Sequence, residues 1–167
     1  MSFEKINPAE CQFNPFSKIG KEWMLLTAGD KDKFNTMTAS WGFAGVMWNK
    51  NVLVAVIRPS RYTYDFVENS DVFTASFFGD AQREALAFCG SHSGRDCDKV
   101  KETGLTPVFL DDVPAFDEAE TVLVCRKLYA QDMTEDCFID KDIPVTNGDQ
   151  PYHKAYIAEI ISMYRKV

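Results

Sequence analysis

The stretch "NVLVAVIRP", residues 51 to 59, constrains the fold more than any other segment. From Val52 to Ile57 it is continuously apolar and rich in β-branched residues, as in a strand covered on both faces, and Pro59 ends its hydrogen-bonding ladder. Such a strand needs neighbours, and the chain supplies them. "WMLLTAG" (23 to 29) is stopped by the turn signal "GDKDK". "FNTMTASWGF" (34 to 43) alternates Thr36, Thr38 and Ser40 with Met37, Ala39 and Trp41, the two-residue period of a half-buried strand with three hydroxyls on one side. "DVFTASFFG", "TVLVCRKLYAQDM" and "HKAYIAEIISMYRK" complete a set of six strands.

Most of the helix falls in the middle. "SRYTYDFVENS" is a short helix that Ser60 could cap, and "DAQREALAFCGSHSG" an amphipathic one with Asp80 as cap, ending at Gly90. "RDCDKVKETG" is a further short helix closed by Gly104. "LTPVFLDDVPAFDEAE", broken by Pro107 and Pro114, reads as a loop with short extended pieces. The expected class is mostly β with short helical insertions: a six-stranded antiparallel barrel of Greek-key type.

With 167 residues and 46% apolar content, one domain over residues 1–167 is expected. A net charge of −7 argues against nucleic acid and anionic membrane as partners. The start lacks the pattern of a signal peptide and no run reaches the roughly 18 apolar residues of a membrane span, so a cytoplasmic location is expected. The five cysteines include no C-x-x-C pair, which suits reduced thiols rather than a disulfide framework or zinc site. Cys89 could be a redox thiol, but a buried helical cysteine is the plainer reading.

Three polar segments could carry chemistry: "NTMTASWG", "RPSRYT" and "SHSGRDCDK". A phosphate needs convergent N–H and O–H donors and a cation. Arg58 and Arg61 bracket Ser60 at a helix start, and Arg95 follows a turn that Gly94 permits. Each segment alone is equally a capped helix or a solvated turn. His92 between Ser91 and Ser93 does not make a triad, because no G-x-S-x-G elbow is present. Nor does the chain contain spaced metal ligands, a dinucleotide fingerprint or a Walker loop.

Taken in order, "NTMTASWGFAGVMWNK", "RPSRYTYDF", "AFCGSHSGRDCDK", "ETGLTP" and "YHKAYIAEI" resemble the flavin reductase family of FMN-binding split barrels, in particular its flavoredoxin branch. The resemblance implies a split barrel, a homodimer, and noncovalent FMN used in electron transfer or in reduction of flavin by NAD(P)H. It implies flavin contacts from Thr36, Thr38, Ser40 and the main chain around Ala39 and Trp41. Phosphate contacts would come from Arg58, Ser60, Arg61 and Thr63, and a covering loop from Ser91, His92, Ser93 and Arg95, with Lys99 a weaker candidate. Trp41, Trp48, Tyr152 and His153 are possible pocket walls. No catalytic dyad is expected, since the flavin ring carries the chemistry while the protein orients it. Two alternatives stand beside an NAD(P)H-dependent or protein-fed oxidoreductase: an FMN-binding electron carrier without turnover, and a split barrel holding another planar ligand.

Overall fold

The computed structural model describes residues 2–167, apart from the side chains at 145 and 146. Its strands are β1 (Phe3–Ile6), β2 (Met24–Gly29), β3 (Phe34–Ala39), β4 (Gly42–Met47), β5 (Lys50–Ile57), β6 (Val72–Phe77), β7 (Pro107–Leu110), β8 (Val113–Phe116), β9 (Thr121–Asp132) and β10 (Lys154–Lys166). The helices are α1 (Pro15–Ser17), α2 (Tyr62–Glu68), α3 (Arg83–Ser91), α4 (Lys99–Thr103) and α5 (Asp142–Asn147). The main sheet runs β3-β2-β6-β9-β10-β5-β4, with β1 added beside β10, and every pairing is antiparallel. This is the split-barrel architecture: β3 and β4, consecutive in the chain, lie at the two ends of the strand order.

Among the described residues the main sheet has eight strands, not six, and each addition has a physical cause. The run 34–43 is divided at Gly42, whose φ of 144° and 2.5 Å approach of a would-be Cβ to the Val54 carbonyl admit no side chain. The chain therefore changes direction after Ala39, and β4 pairs with β5 instead of continuing β3. β1 forms only because Phe3 to Ile6 find Lys166 to Met163 as partners, a pairing too distant in sequence for local pattern to show. The expected loop at 105–120 contains the β7–β8 hairpin, turned by Asp111 and Asp112 at φ 49° and 63°; aspartate tolerates this left-handed conformation better than most residues.

Two apolar layers flank the sheet. One fills the barrel: Leu26, Met37, Leu53, Ile57, Phe73 and Tyr156 are buried together. The other lies outside, where Leu25 and Val122 pack beneath Leu86 and Cys89 of α3 and Phe116 of β8. β5 lies between β10 and the edge strand β4, and burial of Val52, Leu53, Val54, Ala55 and Ile57 along it accounts for the unbroken apolar run.

The helix boundaries differ in detail. Arg61, not Ser60, occupies the N-cap of α2. Asp80 starts a single 3-10 turn (Asp80–Gln82), and α3 extends one residue past Gly90 to Ser91. α4 ends at Gly104 in the left-handed conformation, as its sequence implies, and Asp98 accepts from the Val100 and Lys101 N–H groups at its start.

Candidate functional site

Residues 58–61 form a β-turn closed by the Arg61 N–H donating to the Arg58 carbonyl at 3.0 Å. Pro59 sits at the second position, where its fixed φ favours such a turn. The turn places Arg58 and Arg61 side by side on one pocket of about 240 Å³ at the end of β3. Its remaining wall comes from residues 37–41 of the chain, Val56 of β5, and His153 just before β10.

The electrostatics of this pocket are one-sided. It is lined by two guanidinium groups and no carboxylate. Arg58 Nη2 donates to Asn147 Oδ1 at a long 3.3 Å, while its Nε is buried without a hydrogen-bond acceptor. Buried guanidinium donors are normally satisfied, so this orphan marks a place suited to an anionic acceptor. Burial, then the charges of Arg58 and Arg61, hold the His153 imidazole below its usual pKa. Its ring lies 4.9 Å from that of Trp41, which is 59% exposed and forms an outer wall.

A second cationic feature lies deeper. Lys99 is 6% exposed, and its Nζ donates to the carbonyls of Thr36 and Cys89, each at 2.8 Å. Burial lowers its pKa, with Arg61 adding in the same direction. Cys89 O belongs to the last turn of α3, so the ammonium also answers the negative end of that helix. Arg61 Nη1 makes the parallel contact to Gly90 O at 3.0 Å.

The sequence-selected residues separate into groups. Thr38, Ala39, Ser40, Trp41, Arg58 and Arg61 are brought together at the pocket. The hydroxyls of Thr36 and Thr38 do share a face, but both are engaged: Thr36 with Thr27 at 2.9 Å, and Thr38 donating to Leu86 O at 2.5 Å. Thr63 is buried and accepts from Asn35 Nδ2 at 2.8 Å. The Ser60 carbonyl accepts from Arg95, whose other terminal nitrogen meets Asp65 at 3.0 Å. Ser93 Oγ accepts from the Arg95 N–H. Ser91 and His92 lie at the exposed end of α3, 3.0 Å apart, with the imidazole stacked on Phe88. Trp48 packs near Tyr129, and Tyr152 near Phe138, away from the pocket. Burial pushes the Cys89 thiol up to about 11, so it stays protonated at neutral pH. Sequence reasoning missed Asn35 and Asn147, whose single amides offer no local signal, and Val56, hidden within an apolar run.

The model of the flavin reductase-like domain matches residues 16–164. The chain belongs to the flavin reductase-like family. Among solved structures it is similar to a flavoredoxin from Methanosarcina acetivorans, with 22% identity, TM-score 0.69, and coverage of 87% of this chain and 68% of that one. It is similar also to an FMN-binding protein from Thermus thermophilus, at 19% identity and TM-score 0.69, covering 86% of this chain and 71% of the other. The NADH:FAD oxidoreductase SgcE6 of Streptomyces globisporus C-1027 matches at 16% identity and TM-score 0.66, covering 87% and 75%. At these identities the likeness is one of fold. No curated protein matches the chain by sequence. Among the described residues no helix is long and apolar enough to cross a membrane.

Proposed function

We propose that the protein is an FMN-dependent oxidoreductase of the flavin reductase or flavoredoxin type, passing electrons from NAD(P)H or a protein donor through noncovalently held FMN. The observation that carries this reading is the Arg58–Arg61 turn: two cations on a pocket without a carboxylate, one with a buried donor that lacks an acceptor. The residues present therefore suit the dianionic phosphate of FMN. When bound, FMN supplies the hydride and electron chemistry, so no catalytic side chain is required.

The chain's own residues bind, orient and shield. Arg58 and Arg61 neutralise phosphate charge, with Ser60 and Thr63 beside them and the loop of Ser91, His92, Ser93 and Arg95 across the turn. Thr38, Ala39, Ser40 and Trp41 line the pocket with side chains and main chain, and Thr36 fixes β3 behind them. His153, held neutral by its surroundings, adds a hydrogen-bonding edge without a third positive charge. Trp41 limits water at the mouth.

A homodimer fits the same reading. Trp41, Phe43, Val46 and Trp48 are all more than half exposed on or beside the edge strand β4, and large apolar side chains exposed along an unpaired edge suit a subunit contact. Phe43→Glu is expected to convert a dimer to monomer in analytical ultracentrifugation.

The function is tested by the absorption spectrum of the purified protein and by steady-state consumption of NADH or NADPH with added FMN. Flavin bands and turnover are expected. A colourless protein that fails to take up FMN would overturn the reading, and flavin binding without turnover under any pyridine nucleotide would leave the carrier function instead.

A further inference from the structure

The chain leaves the main sheet between β9, which ends at Asp132, and β10, which begins at Lys154. At the base of this excursion the Met133 N–H donates to the His153 carbonyl at 2.9 Å, and the rings of Phe138 and Tyr152 meet with centroids 5.2 Å apart. Its returning end sets His153 on the arginine pocket. Its far part holds α5, whose last residue, Asn147, accepts from Arg58 Nη2.

Two features aim the Asn147 side chain. Gly148 follows at φ 60°, the left-handed conformation with which glycine ends a helix, and the chain folds back so that the Gln150 carbonyl accepts from Asn147 Nδ2. With its NH₂ engaged there, the amide presents Oδ1 to Arg58. Arg58 lines the pocket and Asn147 does not, so the contact comes from outside the pocket and leaves the buried Nε for an anion. The acceptor is also neutral: an amide oxygen orients a guanidinium without cancelling its charge, as a carboxylate in the same place would. An arginine side chain carries about 2 kcal/mol of rotamer entropy, and a contact that restricts it beforehand lowers the cost of fixing it on a ligand.

We infer that Asn147 is a positioning residue for phosphate: it holds Arg58 ready for the anion, and an anion on Arg58 in turn holds α5 against the pocket. Linkage makes these two halves one quantity, because the factor by which docked α5 raises phosphate affinity is the factor by which bound phosphate favours docked α5. The excursion is therefore a strap that senses the phosphate of the flavin and not its ring. The identity of the ligand rests on the flavin reading; the coupling requires only an anion on Arg58.

Lys141 is exposed, directly precedes α5, and is the single lysine or arginine between residues 133 and 153, so tryptic cleavage after it reports undocking of the helix. The full chain is digested alone, with FMN, with riboflavin, and with inorganic phosphate at about 20 mM against potassium chloride of equal ionic strength, and the cut is followed by mass spectrometry. FMN and phosphate are expected to slow it about threefold, riboflavin and chloride to leave it unchanged, and Asn147→Ala to abolish the protection. In binding titrations Asn147→Ala should weaken FMN about threefold, and Asn147→Asp, which sets a carboxylate against Arg58, about tenfold, with riboflavin affinity unchanged in both. Equal losses of FMN and riboflavin, undiminished FMN affinity in both variants, or protection by riboflavin as strong as by FMN would overturn the inference. A protein that takes up no flavin yet is protected by phosphate, with that protection lost in Asn147→Ala, would sink the flavin reading and leave the coupling standing. Flavin binding with no protection by FMN or phosphate does the reverse.

Discussion

Arg58→Met should move stability and cofactor affinity in opposite directions. In the flavin-free protein, Arg58 contributes one long hydrogen bond to Asn147, one buried Nε without an acceptor, and a positive charge beside Arg61. An unsatisfied buried donor costs about 1–3 kcal/mol, and a hydrogen bond stretched toward the limit returns less than about 1 kcal/mol. Methionine fills similar space without donor or charge, so a net gain of about 1–2 kcal/mol is expected. For a chain of this size that gain raises Tm by about 2–4 °C per kcal/mol. With FMN, loss of a charge-assisted phosphate contact worth about 1.5–3 kcal/mol weakens binding roughly 10- to 150-fold, while riboflavin, lacking the phosphate, should change by less than about twofold. Thermal melts of flavin-free protein and parallel titrations with FMN and riboflavin measure both arms. A destabilised flavin-free variant would show that Arg58 is a structural residue, and equal losses for FMN and riboflavin would place it away from phosphate.

Gly94→Ala brings a Cβ to 2.1 Å from Asn35 Oδ1 and 2.9 Å from its Cγ, so either the Asn35 side chain moves and gives up its hydrogen bond to Thr63 or the backbone at residue 94 shifts; a loss of about 1–3 kcal/mol is expected in denaturant titration. Asp98→Ala removes the oxygen that accepts from the first N–H groups of α4 and should cost about 1 kcal/mol in the same assay. Burial works against ionisation of Glu68, yet hydrogen bonds from Tyr156 and Lys154 hold its carboxyl below the usual value. Its stabilisation is therefore fully present above about pH 4.5 and is lost as pH falls through the lower folded-state value. Glu68 is about a third exposed, so Tyr156→Phe should remove only about 1 kcal/mol at neutral pH, with a shallower decline on acidification; an unaltered acid profile would refute the linkage.

What could be read from the chain follows from the range of each signal. The unbroken apolar run at 52–57 announced a covered strand because coverage reaches both of its faces, and Val52 to Ala55 and Ile57 of β5 are buried. The alternation at 36–39 correctly placed Thr36 and Thr38 on one face, but alternation cannot say what meets that face; Thr27 and α3 do. The two arginines were visible as a pair, and the turn that aligns them was implicit in Pro59. Asn147, by contrast, reaches Arg58 across 89 residues, and β1 finds its partner at the far end of β10; neither leaves a local trace. A cavity of about 630 Å³ beside the start of β3 was also invisible, since Lys33, Tyr62 and Lys99, which line it, belong to three separate segments that only the packed fold assembles.

The position of β10 sets the order in which this chain can fold during synthesis. β10 lies between β5 and β9 and also carries β1, so three strand edges wait for it. β5 ends at Ile57 and its partner begins at Lys154, a delay of 154 − 57 = 97 residues. At about 5–20 residues per second on the ribosome, the most apolar strand of the molecule has one edge unpaired for roughly 5–20 s. During that time the β4–β5 hairpin and the β2–β3–β6 unit can form from earlier contacts, but the barrel cannot close. Newly made chains should therefore be most prone to aggregation, and most dependent on chaperones, just before residues 154–166 emerge.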